Sequence, residues 1–408
     1  MSAVDMRTIA LRFNRTYADY FSTLLTTPNL AFKRDYVGSQ SKHGILMANN
    51  KNQHFVPRCY LRPFTQNAEG LAISLFNLER KKLISNAPVK NQCARDYFYG
   101  RDQKLEDAIQ LVESGYSRAL RDLTQDNRTL SEENKAVFRT FWLFQHLRTE
   151  AAAMSAVQMA ETTRNLADLP SEEFSLGIKE AVQIACRTFV HAMHELDDLK
   201  FCVIRNKTAF PFLTSDNPAV LTNRWHLENK KTRDVSFGMG SAGMLAILPL
   251  TPKLLLLGYD GDVYNVPNER GIVDVRNTRD VIAFNRHQFL HCVANVYLHD
   301  ATHEDELVRY YSEIEGARPK SRHIVHYAEL ESTIGSSTRY VVIPPEKRDK
   351  TKEAIMHAQV IHPHPVIWPS QIKIRSNGSV YTNGTGMGYV RASKTFAANG
   401  PEYEREKP

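Results

Sequence analysis

The sequence predicts an α+β protein with helices packed on a modest antiparallel sheet, followed by a small C-terminal β-meander. Three observations lead to this fold class. Between residues 104 and 199, apolar side chains recur at the 3.6-residue period of amphipathic helices. After residue 200 the chain turns to short apolar runs bounded by turn residues, which are typical of strands. Two Asn-Gly pairs, at 377–378 and 383–384, mark tight turns between short alternating segments near the C-terminus.

The stretch 52–65 is the element around which we expect the domain to be organised. Pro57 suits the first turn of a helix, where its missing N–H costs nothing. A second proline, at position 63, ends that helix because the residue before a proline avoids the α region. The resulting short helix places Arg58 and Arg62, four residues apart, on one face. Its apolar side chains, Val56, Tyr60, Leu61 and Phe64, then point towards a core.

His54 lies just before this helix, and two interpretations of it stay open. In the first, it is a structural histidine bonded to backbone or a carboxylate, beside a helix that anchors the core. In the second, His54 and Arg58 line a pocket for an anionic group.

The next helix, predicted over Lys104–Leu123, carries a polar stripe beside its apolar face. Glu106 and Glu113 on this stripe lie seven residues apart, or roughly 10 Å at a rise of ~1.5 Å per residue. That separation is too long for them to share a proton. These carboxylates are either solvated or paired with arginines of the opening stretch.

A helix capped by Ser131 is apolar on nearly all sides, so we expect it to be central and buried. Arg139, Gln145 and Arg148 are polar groups on this helix, and buried arginines need partners. Either acids such as Glu106 and Glu113 neutralise them, or they form the floor of a polar cavity.

A further helix is predicted over 171–199, and its His-x-x-His-Glu order matches neither zinc-protease pattern. Two paired strands are then expected at 201–205 and 209–213. Asp216 and Asn217 follow them: a carboxylate at the end of an apolar strand suits catalysis, whereas an Asx turn is the structural alternative. A second strand pair, 246–250 with 253–259, precedes helices predicted over 280–296 and 304–314.

The predicted organisation has three parts. Residues 1–50 form an N-terminal helical extension, with a helix over Val4–Leu25. Residues 51–315 form the α+β domain. Residues 316–408 form a proline- and lysine-rich linker and the β-rich extension that holds the meander.

Composition predicts a cytoplasmic protein. The chain has 408 residues, 42% hydrophobic and 24% charged, and no apolar run long enough to span a bilayer or act as a signal peptide. Its 5 cysteines are widely spaced and contain no Cys-x-x-Cys pair, which indicates free thiols rather than disulfides or a zinc ribbon.

The net charge of +7 is concentrated in one segment. Nine Lys or Arg residues and three acids lie between Lys51 and Arg101, a local excess of six positive charges. Such a surface attracts anionic small molecules or nucleic acid, although no nucleic-acid-binding motif accompanies it.

Two motifs carry a resemblance to a known family. The pattern Asn-x-His-Phe-Val-Pro-x-x-Tyr-Leu-x-x-Phe at 52–64 and Thr-Ser-Asp-Asn-Pro at 214–218 resemble those of the bacterial family catalogued as domain of unknown function 4238. The resemblance continues through the aromatic run at 96–99 and Gln145-x-x-Arg148-Thr149, and fades after about Asp300. It implies an architecture and a bacterial origin, but no reaction.

Two functional hypotheses follow. In the first, the protein is a nuclease-like hydrolase for a phosphate-bearing substrate, with His54 as general acid or base. Asp216 with Glu106 or Glu113 would orient His54 or hold a divalent metal ion. The anion would be held by side chains from several segments, Arg58, Arg62, Arg139, Gln145, Arg148 and Asn217. In the second, the same residues bind an anionic ligand or nucleic acid without catalysis. A purely structural scaffold remains as a third, non-functional alternative. The sequence favours no particular substrate, metal ion or oligomeric state.

Overall fold

The computed structural model describes residues 51–126, 129–167, 170, 175–232, 235–334, 337–349, 352–385, 388–395 and 402–408. The helix predicted over Val4–Leu25 lies outside these residues. The described helices are α1 (Arg58–Leu61), α2 (Gln103–Gln125), α3 (Glu132–Leu147), α4 (Glu150–Leu166), α5 (Ile178–Ala192), α6 (Arg224–Glu228), α7 (Thr278–His291) and α8 (Glu304–Ser312).

The strands of the main body are β1 (Asn52–His54), β2 (Ala72–Asn77), β3 (Lys82–Pro88), β4 (Ala94–Asp96), β5 (Lys200–Asn206), β6 (Thr214–Ser215), β7 (Val220–Thr222), β8 (Leu245–Thr251), β9 (Leu254–Tyr259), β10 (Tyr264–Asn265), β11 (Ile272–Val275) and β12 (Asn295–Leu298). The C-terminal strands are β13 (His323–Ile334), β14 (Ser337–Val342), β15 (Ala354–Val360), β16 (Lys373–Ile374), β17 (Val380–Thr382), β18 (Tyr389–Val390) and β19 (Glu404–Glu406).

Two sheets form the centre of the molecule. A five-stranded sheet has the order β11-β5-β9-β8-β7, and all its pairs are antiparallel except β11 with β5. A four-stranded antiparallel sheet has the order β3-β2-β12-β6. The α+β class and the predicted pairing of β8 with β9 are therefore confirmed.

Helix α3 lies against the five-stranded sheet and is buried around most of its circumference, as predicted. The indole Nε1 of Trp142 donates to the carbonyl of Ile247 in β8 at 3.1 Å, which fixes the helix to the sheet. Ser131 caps the helix by accepting from the N–H of Asn134. The opening stretch is fixed in the same core, because the Tyr60 hydroxyl meets Thr214 Oγ1 at 2.8 Å and donates to the Pro249 carbonyl at 2.6 Å.

The strand predicted at 209–213 is absent from the described structure, so its pairing with β5 was wrong. Side-chain amides satisfy the backbone of this segment instead: Asn206 Nδ2 donates to the Phe210 carbonyl at 2.7 Å. Asn285 donates to the Pro211 carbonyl and accepts from the Leu213 N–H, both at 2.9 Å. Strand β5 pairs with β9 and β11.

Two predicted helices are shorter than expected. Helix α7 ends at His291, before the predicted end at 296, because the chain enters β12. Helix α5 covers Ile178–Ala192, a smaller range than 171–199, and of the latter 171–174 lie outside the described residues.

The segment 323–360, predicted as linker, is a three-stranded antiparallel sheet of order β14-β13-β15. The predicted C-terminal meander is present in part: β17 pairs with β18 and with β19, whereas β16 pairs with β10 of the main body. Arg391, 3% exposed, binds Asp198 at 2.8 Å and ties this region to the α+β domain. In the part of the chain that the structure describes, no helix could cross a membrane. All five cysteines are free.

Candidate functional site

Strand β1 and the loop before α2 hold His54 in position. The strand pairs with β4, and the buried side chain of Gln53 crosses to the following loop. Its amide donates to the Gly100 carbonyl at 2.9 Å, and its oxygen accepts from the Tyr99 N–H at 2.7 Å. The Tyr99 hydroxyl donates to the His54 carbonyl at 3.1 Å. Backbone geometry around the histidine is therefore fixed from both sides.

Arg148 lies at the C-terminus of α3 and is fully buried. Its Nη2 donates to Glu113 Oε1 at 2.9 Å, and its Nε donates to Gln145 Oε1 at 3.1 Å. Gln145 in turn donates to the Phe55 carbonyl at 2.8 Å, which links α3 to the opening stretch. The guanidinium also lies 4.6 Å from the ring centroid of Phe144. The buried charge is thus both paired and hydrogen-bonded, as burial requires.

Three buried polar atoms in this region have no hydrogen-bond partner among the described residues: His54 Nε2, Glu106 Oε1 and Arg148 Nη1. The charge of Arg148 acts on both His54 and Glu106. They come from three different elements. Unpaired buried polar atoms cost free energy and are few in folded proteins, so three of them in one region mark a candidate functional site. We call His54, Glu106, Glu113, Gln145 and Arg148 the Arg148 site.

The electrostatics of the Arg148 site shift two titratable groups in opposite directions. Burial, followed by the charge of Arg58, lowers the pKa of His54. Burial, followed by the charge of Glu113, raises the pKa of Glu106. At neutral pH the imidazole is therefore neutral, and the carboxyl is shifted towards its protonated form.

A cavity of about 500 Å³ lies beside the site and is lined by Glu113, Cys59 and the adjoining face of α2. Arg118 and Arg121 also line it, so the cavity has two cationic side chains next to the Glu113–Arg148 pair. Burial raises the pKa of Cys59 to about 12, so this cysteine is a neutral thiol and a poor nucleophile.

The Arg148 site does not include four predicted binding residues, Arg58, Arg62, Arg139 and Asn217, although the charge of Arg58 acts on His54. Arg58 and Arg62 are exposed, and Arg62 Nε donates to the Ala68 carbonyl at 3.0 Å. Arg139 pairs with Asp197 at 2.8 Å, more than two turns before Arg148 on α3.

Asp216 is occupied by backbone groups. Its two carboxylate oxygens accept from the N–H groups of Val293, Ala294 and Asn295 at 2.7–2.9 Å. These bonds hold the start of β12 against β6, which is a structural arrangement different from the local Asx turn. They leave the carboxylate no contact with the Arg148 site in the described structure.

Asn217 bridges two helices. Its Oδ1 accepts from Thr149 Oγ1 at 2.9 Å, and its Nδ2 donates to the His291 carbonyl at 3.0 Å. Thr149 directly follows Arg148, so Asn217 contacts the site's neighbour rather than the site itself.

The basic segment 51–101 is partly neutralised by acids from other elements. Lys81 pairs with Glu315 at 2.7 Å, and Arg95 pairs with Glu150 at 2.9 Å. Among the described residues no group of three or more His, Cys, Asp or Glu side chains is placed to hold a metal ion.

Sequence reasoning missed Gln53 and Tyr99, which fix His54. Gln53 is 1% exposed although it is the central residue of the short strand β1. The available signal was the alternation of buried and more exposed side chains along 52–55, in which Gln53 and Phe55 are buried.

Comparison with known proteins places the chain in a family without adding an activity. No curated protein matches it, and no solved structure matches it. The model of the family described as "Protein of unknown function (DUF4238)" matches residues 52–302, more than half of the chain, and includes the whole Arg148 site. The chain therefore belongs to this family of proteins of unknown function.

Proposed function

We propose that the protein is a hydrolase for a small phosphate-bearing substrate and that the Arg148 site is its active site. The observation that carries this proposal is the cluster of three unpaired buried polar atoms, His54 Nε2, Glu106 Oε1 and Arg148 Nη1. One is a fixed cationic donor. The other two belong to groups whose pKa values are displaced in opposite directions, which is the usual condition of an acid–base pair.

Each residue has a distinct role in the proposed reaction. Arg148 Nη1 donates to a non-bridging phosphate oxygen. Neutral His54 accepts a proton at Nε2 from the attacking water as the new P–O bond forms. The protonated form of Glu106, which burial favours by raising the pKa, gives its proton to the leaving oxygen as the old P–O bond breaks. The two transfers together conserve protons. His54 then releases its extra proton to solvent and Glu106 takes one up, which restores the starting protonation states.

A second candidate is anion binding without turnover. Support for it comes from Glu113 and Gln145, which hold the guanidinium in one orientation, as in a binding group, and from the cations lining the adjacent cavity.

The test uses p-nitrophenyl phosphate, bis-p-nitrophenyl phosphate and single-stranded DNA, each with and without Mg²⁺. We expect hydrolysis of at least one of them by the wild type. His54→Gln and Glu106→Gln should each lower kcat about 100-fold or more, with KM little changed. His191→Gln, at an exposed position on α5, is the matched control and should be as active as wild type.

Binding of inorganic phosphate, measured by calorimetry, separates the two candidates. No product with any substrate, together with phosphate binding that Arg148→Lys weakens, would establish the binding function instead. If the protein forms no product and binds no phosphate, both candidate functions are overturned.

A further inference from the structure

A second cleft, of about 570 Å³, lies at the α3–α4 junction, where His146, Leu147 and Ala151 line it. Its volume is in the range of small-molecule sites, roughly 300–1,000 Å³. One wall comes from α4 and the end of α7, within the family-matched range. The other comes from residues 318–323 and 360–363, beyond that range. The cleft is therefore built jointly by the family domain and the C-terminal segment of this chain.

The lining of this cleft is mostly apolar and carries charge of one sign. Met154 and Met159 of α4 are each 37% exposed along it. Arg318, Lys320 and Arg322 also line it, and among the described residues lining it none is acidic. The buried Asp216 carboxylate also acts on Arg322, so the cations are partly opposed from behind the wall. Apolar surface combined with an excess of cations fits a molecule with an apolar body and an anionic end.

The two arginines are fixed in place by backbone carbonyls. Arg318 Nη2 donates to the Cys292 carbonyl at 2.9 Å, and Arg322 Nη2 donates to the His291 carbonyl at 2.6 Å. Both bonds cap the C-terminus of α7, where the helix dipole favours cations. The C-terminus of a helix carries only about half a negative elementary charge. Shared between two arginines, this partial charge leaves most of their positive charge in place. Burial accordingly lowers the pKa of Arg322.

Histidines contribute a second, independent indication of a ligand. His323 is 7% exposed, and its Nδ1 is buried without a partner in the described structure. His362 is stacked on Phe237 with ring centroids 3.5 Å apart, and its Nε2 lies 2.9 Å from the Phe237 carbonyl. That bond requires a proton on Nε2. Burial lowers the pKa of His362 to about 4, so at neutral pH the ring is a fixed, uncharged part of the wall.

We propose that this cleft binds a small amphipathic anion, with a carboxylate or phosphate at one end and an apolar body. Arg318 and Arg322 hold the anionic end at the C-terminus of α7. Met154, Met159 and the apolar residues of the cleft contact the body. The site is separate from the Arg148 site, so it stands whether or not the hydrolase proposal does.

The probe is 1-anilinonaphthalene-8-sulfonate, whose fluorescence rises when it enters an apolar site. We expect saturable binding to the full-length protein, and displacement by dodecanoate or dodecyl phosphate. The order of these two competitors distinguishes a carboxylate ligand from a phosphate ligand. Neutral dodecanol should displace the probe at least ten-fold less effectively, because it lacks the anion.

Arg322→Gln should weaken binding of the preferred competitor about ten-fold or more. Arg279→Gln, exposed at the opposite end of α7, removes the same charge and should have no effect. Because Arg322→Gln alters a helix cap, Met154→Glu provides a second variant. It places a carboxylate on a partly exposed wall, where folding tolerates it, and should also weaken binding about ten-fold. Displacement by dodecanol equal to that by dodecanoate, or wild-type binding in both Arg322→Gln and Met154→Glu, would overturn the proposal.

Discussion

Among the described residues, Arg148 is the largest charged side chain that is fully buried, and its ion pair is with the Glu113 carboxylate. Arg148→Met should reduce the free energy of unfolding by about 3 kcal/mol, since it leaves the Glu113 carboxylate and the Gln145 oxygen without their donor. The double variant Arg148→Met/Glu113→Gln should lose less, because it removes both charges together. Urea unfolding monitored by tryptophan fluorescence measures both. A double variant less stable than Arg148→Met would contradict this account.

Asp216 should prove structural rather than catalytic. Asp216→Ala removes the acceptor of three backbone N–H groups at the start of β12 and should cost about 3 kcal/mol. Activity per folded molecule should stay near wild type. Asp262→Ala, at an exposed position, is the matched control and should leave the urea midpoint unchanged. Loss of turnover with an unaltered midpoint would return Asp216 to the catalytic group.

Sequence reasoning identified Arg148 correctly as a buried group that needs a partner, because a charged residue at the end of an apolar helix admits few alternatives. It could not assign the partners of Asp216. Those N–H groups lie 77–79 residues further along the chain, and no local pattern encodes a contact of that range.

At the scale of elements, Thr149 joins two helices and a turn. Its hydroxyl caps α4 by accepting from the Ala152 N–H at 3.3 Å, and it donates to Asn217 Oδ1 at 2.9 Å. Thr149→Val keeps the shape but loses both bonds, so it should cost about 1–2 kcal/mol in thermal or urea unfolding. Thr149→Ser retains the hydroxyl and should lose less than half of that. Equal losses in the two variants would contradict this account, because they would show that the methyl group of Thr149 contributes as much to stability as its hydroxyl.

The strongly periodic helices α2 and α3 were predictable because each one buries a continuous apolar face. The irregular segment 209–213 was not predictable, because its apolar residues resemble a strand. Side-chain amides of Asn206 and Asn285, the latter over 70 residues away, take the place of a ladder.

At the scale of the whole molecule, buried histidines make stability depend on pH. Burial lowers the pKa of His287 to about 3 and that of His362 to about 4. Both groups titrate near 6.5 when unfolded, so the unfolded chain binds more protons below that pH. The stability they confer is present above pH 6.5 and is lost as the pH falls towards 4. Each should cost about 2 kcal/mol between pH 7 and pH 5.

Urea midpoints measured across this pH range test the dependence. His287→Gln should flatten the profile, whereas His191→Gln, at an exposed position, should leave it as steep as wild type. An unchanged slope in His287→Gln would show that protonation of other groups dominates.

The C-terminal segment packs on the α+β domain, although its composition predicted a linker. Prolines and lysines indicated a linker, but Asp280 of α7 accepts from the Ser370 N–H at 2.8 Å, and Arg391 binds Asp198. Because these contacts are made by polar and charged side chains, the local sequence has the composition of a solvent-exposed segment. Removal of residues beyond 315 should therefore expose apolar surface and reduce solubility, as size-exclusion chromatography would report.

The bonds that Tyr60 makes to Thr214 and Pro249 span 154 and 189 positions of the chain. Contacts of such long separation form slowly, because a large loop has to close first. During translation, the opening motif leaves the ribosome early and cannot dock until β8 has emerged. The opening motif, which positions the Arg148 site, is thus synthesised long before the residues on which it packs. Until β8 has emerged, its apolar side chains stay unburied, and a nascent chain at this stage is a suitable substrate for a chaperone.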